Sequence, residues 1–146
     1  MRILVTGGAG FVGSHLVDRL AKSHQIVVYD NLSSGRKDFL GKHFGSKRFD
    51  FIQGDLLDLP LLKKSMKVVD FVFHLAANPD IRLGIQVTDT DLMQGTMVTY
   101  NVLEAMRTAG VKNIVFSSSS VVYGEPSVFQ ASEKRTARHT RQNWKK

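Results

Sequence analysis

Short apolar runs alternate along this chain with stretches whose apolar positions recur every three or four residues. The runs read as strands over about residues 2–6, 25–30, 48–53, 68–74 and 113–117. The continuous apolar stretch of the fourth suits a strand covered on both faces, as in a parallel sheet. Between them the helical period predicts a helix over about 11–22, with Leu16, Val17 and Leu20 facing inward. A second helix is predicted over 59–66, with Asp58 as N-cap and Pro60 in its first turn. The longest helix is predicted over 89–109, its stripe formed by Leu92, Val98, Val102, Leu103 and Met106, with Gly110 as C-terminal cap. Residues 36–44 read as a short helix or loop. Strand–helix alternation with right-handed crossovers gives an α/β fold, a doubly wound parallel sheet of Rossmann type with five strands in the order 3-2-1-4-5.

Composition narrows this picture. At 146 residues the chain is one domain by length, and 42% hydrophobic content is ordinary for a globular protein. It has no cysteine, which excludes disulfides and thiolate metal sites and suits a reducing, cytoplasmic setting. No apolar run reaches the roughly 18 residues of a membrane span, and the N-terminal run lacks the layout of a signal peptide. The net charge is +7, but Glu133–Lys146 holds six cations against one acid, so the other residues carry only +2. The basic signal thus belongs to a tail over 130–146, with Trp144 its only large apolar residue. That tail is expected to be disordered, leaving 1–129 as the folded domain.

Candidate chemistry starts at the end of the first strand, where Thr6-Gly7-Gly8-Ala9-Gly10-Phe11-Val12-Gly13 leads into a helix. Gly7 and Gly8 permit the tight turn, Gly10 lets backbone N–H groups approach a pyrophosphate, and Gly13 lets the helix pack close to the strand. The free N–H groups and positive dipole end of the helix face the same point. Asp30 closes the second strand, seventeen residues past Gly13. An acid there accepts hydrogen bonds from ribose hydroxyls and repels a 2′-phosphate, favouring NAD over NADP; the competing role is a cap of the turn at Asn31 and Ser33-Ser34-Gly35.

Further candidates lie at the other carboxyl ends, where such sheets bind ligands. Asp55 is placed to accept an adenine amino group with Leu56 against the ring, or else to cap the following turn. Ala76 and Ala77 keep the loop after the fourth strand thin. His74 reads as a structural histidine rather than a base. The serines from Ser117 to Ser120 are either hydrogen-bonding groups beside a nicotinamide or a plain serine-rich turn.

Thr6–His15, Tyr29-Asp30-Asn31-Leu32, Gly54-Asp55-Leu56, His74-Leu75-Ala76-Ala77 and Phe116–Glu125 together resemble the extended short-chain dehydrogenases/reductases. Within that family the likeness is to NAD-dependent nucleotide-sugar epimerases and dehydratases of the UDP-glucose 4-epimerase type, over about residues 1–129. The resemblance implies that Phe11, Val12, Asp30, Asn31, Leu32, Ser33, Ser34, Gly35, Asp55, Leu56, Leu75, Ala76, Ala77, Asn78 and Pro79 contact NAD. It also implies that Ser119 is the catalytic hydroxyl. In this family NAD oxidises a sugar 4-hydroxyl, and the keto sugar is then reduced from its other face or dehydrated. Ser120 and Val121 replace the acidic pair usual in dehydratases, which tilts the reading toward an epimerase acting on a UDP-sugar.

Two departures accompany the likeness. Gly95 stands where the family usually has an asparagine. The family's general base is the tyrosine of a Tyr-x-x-x-Lys motif, whose lysine lowers a tyrosine pKa otherwise near 10. Tyr29, Tyr100 and Tyr123 are followed four residues later by Ser33, Glu104 and Ser127. The equivalent stretch falls near Trp144, so the sequence reads as the N-terminal, cofactor-binding part of such an enzyme, truncated or frameshifted at its end and inactive alone. That reading leaves the fifth strand as an open edge, prone to oligomerisation or aggregation. The competing readings are a non-catalytic NAD-binding regulatory module, whose partner docks on that edge, and nucleic-acid binding through the tail.

Overall fold

The computed structural model describes residues 1–80 and 82–119. Met1–Phe116 forms one compact unit, and a second begins at Ser117. The first unit is a five-stranded parallel sheet of order β3-β2-β1-β4-β5, as the apolar pattern predicts. The strands are β1 Arg2–Thr6, β2 Gln25–Asp30, β3 Phe49–Gln53, β4 Phe71–His74 and β5 Ile114–Phe116. β1 is central, pairing Thr6 with Tyr29 on one side and with His74 on the other.

Successive side chains of the central strands point to opposite faces, so the unbroken apolar runs feed two cores. Leu4, Val27, Tyr29 and Val72 pack with α2 (Leu59–Met66) and α4 (Val98–Ala109) through Leu62, Met66, Val102 and Met106. Ile3, Val5, Ile26 and Val28 pack on the other face with Val17 of α1 (Phe11–Leu20) and Leu40 of a 3-10 turn, Lys37–His43. Burying each such side chain is worth roughly 1.5–3 kcal/mol. Asp58 caps α2 as predicted, its carboxylate accepting from the Leu61 N–H at 3.0 Å, and Gly110 closes α4 in the left-handed region at φ 74°.

Two expectations need correction. The fourth strand begins at Phe71, not 68, because Val68 lies in the turn after α2, 63% exposed, while Asp70 accepts from the Arg2 N–H at 2.7 Å. The longest helix is not uniform. A short α3 (Leu83–Gln86) precedes it, and Leu92–Met97 is a π segment in which the Val98 N–H reaches back to Met93 O. The wider turn shifts the phase. Leu92 is 54% exposed and Leu103 48%, while Val98, Val102, Ala105 and Met106 form the actual stripe, together with a buried Asn101.

Within the first unit β5 is one of the two edge strands, opposite β3, and Val115 and Phe116 are about half exposed. Among the described residues no helix is long and apolar enough to cross a membrane, and no cluster of three acids or histidines is placed to hold a metal. The predicted tail, Tyr123, Ser120 and Val121 lie outside the described residues.

Candidate cofactor cleft at the carboxyl ends of the strands

The turn between β1 and α1 is held from both sides. Gly7 has φ 69°, and a Cβ there would lie 2.7 Å from Ala76 N in the loop after β4. Only glycine allows that conformation and that approach together. A Cβ on Gly13 would fall against Gly7 O and 2.7 Å from Gly8 Cα, so the first turn of α1 rests directly on the loop. Gly10 occupies the N-cap without a side chain to offer, which leaves the first N–H groups of α1 for an anion.

Asp30, 8% exposed, fastens this loop to the end of β2. Its carboxylate accepts from Ala9 N–H at 2.9 Å and from Leu32 N–H at 2.8 Å. The turn-capping role weighed for it is therefore real, and carboxylate lone pairs beyond these two bonds still face the cleft. Asp55 does the same after β3, accepting from Leu57 N–H at 2.8 Å and from Asn31 Nδ2 at 3.1 Å. Tyr29 supports that loop from below, its hydroxyl donating to Asp55 O at 3.0 Å. Burial, then the neighbouring Asp58 and Asp55 carboxylates, push the Tyr29 phenol up to about 12, so it remains a neutral donor.

These loops surround a cleft of about 370 Å³. The glycine loop contributes Gly7, Gly10, Phe11, Val12 and Gly13; the region after β2 contributes Asp30, Asn31, Ser33, Ser34 and Gly35. Asp55 and Leu56 line it after β3, and Leu75, Ala76, Ala77 and Pro79 after β4. Leu32 and Asn78, included in the sequence-based set, do not line it. Leu32 sits at φ 62°, which turns its side chain onto the core beneath α1, and Asn78 is occupied bridging the backbone of Asp80. Ser119 belongs to the second unit, three residues past the end of β5.

Four lining residues fall outside the set of cofactor contacts expected from the sequence: Tyr29, Gly54, Gln94 and Val98. Tyr29 and Val98 read as core, and both are core as well as wall. Gln94 enters from the π segment, for which the helical period gives no signal. His74 is fully buried at the end of β4. Burial pushes its imidazole down to about 4, so it stays neutral near pH 7, in keeping with a structural role.

A parallel doubly wound sheet with a glycine turn, an uncapped helix N-terminus and an acid at the end of β2 defines a Rossmann-type nucleotide-binding architecture. The sequence matches the NAD dependent epimerase/dehydratase family over residues 3–145, and the chain belongs to that family. The match runs past residue 129, where the resemblance read from the motifs stops, and into the basic segment. The UDP-glucose 4-epimerase of Mycolicibacterium smegmatis is 41% identical over 137 residues, covering 91% of this chain and 44% of that protein. A crystal structure of UDP-glucose 4-epimerase from Brucella ovis in complex with NAD is 31% identical, with a TM-score of 0.78, over 97% of this chain and 46% of that one. A dTDP-glucose 4,6-dehydratase double mutant from Streptomyces venezuelae with NAD bound is also 31% identical, with a TM-score of 0.83, over 92% of this chain and 44% of that one. The chain spans less than half the length of each of these relatives.

Proposed function

We propose that this chain binds NAD in the cleft and is the cofactor-holding portion of a nucleotide-sugar epimerase. The observation that carries the reading is the joint arrangement of Gly13 seated on Gly7 and Asp30 fastened to Ala9. Together they hold free helix N–H groups and a carboxylate a fixed distance apart, as a dinucleotide requires. The residues present fit the cofactor. N–H groups at the start of α1 bind the pyrophosphate, Asp30 accepts from the adenosine ribose, and Asp55 and Leu56 border the adenine. Bound NAD supplies hydride acceptance from, and return to, a sugar carbon bearing a hydroxyl. Asp30 excludes a 2′-phosphate by charge and so selects NAD over NADP. Ser119 is the chain's own candidate for hydrogen-bonding the reacting hydroxyl.

None of the chain's tyrosines has a lysine four residues later, so no tyrosine base of the family type is present in this sequence. The chain therefore binds NAD and does not turn over a UDP-sugar by itself. Calorimetric titration of the purified chain with NAD and NADP tests the first statement. NAD binding that weakens at least tenfold in Asp30→Ala, with loss of discrimination against NADP, is expected. Absence of NAD binding, or epimerisation of a UDP-sugar by the 146-residue chain, overturns the reading.

A further inference from the structure

A chain of hydrogen bonds runs beneath the cleft from one wall to another, through a histidine that the cofactor does not need as a base. The Thr99 hydroxyl donates to Gly95 O at 2.7 Å, inside the π segment. With its hydrogen committed there, Thr99 Oγ1 meets His74 Nε2 at 3.2 Å as an acceptor, so Nε2 carries the proton. Neutral His74 then has a bare Nδ1, which accepts from the Thr6 hydroxyl at 2.7 Å. Thr6 Oγ1 in turn accepts from Ala76 N–H at 3.4 Å. Every donor in the sequence Ala76, Thr6, His74, Thr99, Gly95 points the same way. The imidazole itself is clamped flat against Phe116 of β5, ring centroids 5.3 Å apart.

We propose that His74 and Thr99 are positioning residues for the cleft: their hydrogen-bond chain ties the π segment of the long helix to the ends of β1 and β4. The segment needs such a tie. Its residues are mostly exposed, none of its side chains is buried, and a Cβ on Gly95 would meet nothing within 4 Å. Yet it carries Gln94 into the cleft and leads into Val98, which lines the same wall. A threonine bonded back to the carbonyl four residues earlier reshapes a helix locally, and here the same hydroxyl oxygen also meets His74 Nε2. The opposite end of the chain is Ala76, a residue of the facing wall. One fully buried imidazole thus sets the spacing between two walls, with its tautomer dictated by Thr99. Burial keeps the ring neutral, which is the only state compatible with this polarity.

The inference that two walls are coupled rests on the NAD reading only for its affinity readout. Nitrogen-15 NMR of the full chain is expected to show His74 as the Nε2–H tautomer, in wild type and in Thr99→Ser. Amide hydrogen exchange at Gly95 to Val98 is expected to quicken about tenfold in Thr99→Val, which keeps shape but removes the hydroxyl, and to return to the wild-type rate in Thr99→Ser. NAD affinity should weaken about fivefold in Thr99→Val, the scale of one lost hydrogen bond, and recover in Thr99→Ser. A merely structural threonine would move thermal stability without this local exchange pattern or rescue. An Nδ1–H tautomer in the wild type overturns the proposal without any variant having to fold. Wild-type exchange in Thr99→Val overturns it as well. A wild-type chain that fails to bind NAD refutes the cofactor reading instead, while tautomer and exchange still decide the positioning role.

Discussion

Gly13→Ala is the sharpest perturbation of the glycine turn, because two opposing effects can be weighed from the structure. Gly13 lies in the first turn of α1, where alanine is favoured over glycine by about 1 kcal/mol through helix propensity. Against that, the new Cβ would press on Gly7 O and lie 2.7 Å from Gly8 Cα and 3.0 Å from Gly7 C. All three are backbone atoms, so no side chain can swing aside. The loop cannot retreat either, since Gly7 already faces Ala76 on its other side. Overpacking of this kind costs about 1–3 kcal/mol, and backbone on both sides places it toward the upper end. The expected net loss is about 1–2 kcal/mol, a fall in Tm of roughly 4–8 °C for a domain this size. Lifting α1 off the loop also displaces the N–H groups meant for the pyrophosphate, so NAD affinity should fall at least tenfold, about 1.4 kcal/mol. Urea denaturation and calorimetric titration measure the two losses. Gly41→Ala serves as control, since a Cβ there meets nothing within 4 Å. A Gly13→Ala protein as stable as the wild type, binding NAD with unchanged affinity, would refute the packing argument.

Further outcomes follow from His74 and Tyr29, both buried in the core. Burial lowers the His74 pKa to about 4 from 6.5, so the unfolded chain takes up a proton the folded chain refuses. Stability from this residue is complete above pH 6.5 and is lost as pH falls toward 4, on the order of 3 kcal/mol in all. Urea titrations of wild type and His74→Asn between pH 7 and 4.5 should diverge in slope, and parallel slopes would exclude the linkage. Tyr29→Phe removes the hydroxyl that donates to Asp55 O and should cost about 1 kcal/mol of stability. The same change should weaken NAD binding severalfold by freeing the loop after β3; an unchanged affinity would show that Asn31 and the Asp55 turn hold that loop unaided.

The central strands β1 and β2 were readable because residues buried on both faces are apolar nearly throughout, whereas β3, with exposed Asp50 and Gln53, was read from the alternation of strands and helices. The glycine turn and Asp30 were readable because their roles depend on backbone geometry that few residue types satisfy. The start of the long helix was not. Its π segment inserts a wider turn, so extending the stripe of Val98, Val102 and Met106 backward assigned Leu92 to the core wrongly, while Leu103 lies a third of a turn off it. Leu32 and Asn78 entered the candidate set within two continuous runs, 30–35 and 75–79, that the family resemblance implies contact NAD. A left-handed residue at Leu32 and an Asn–Asp turn at Asn78 break that continuity. Gln94 was missed for the complementary reason, reaching the cleft from a segment whose phase the helical period cannot supply.

Three of the bonds that close the glycine turn join it to residues no further along the chain than Arg36. Gly7 N–H donates to Tyr29 O at 3.0 Å, Ala9 N–H to the Asp30 carboxylate at 2.9 Å, and Arg36 N–H to Ala9 O at 2.9 Å. These three contacts of the anion cradle lie within the first 36 residues, in loops short enough to close at small entropic cost. A ribosome releasing this chain from its N-terminus would deliver these three contacts before β3 emerges, while the wall at Ala76 and the bond from Thr6 to His74 wait for β4.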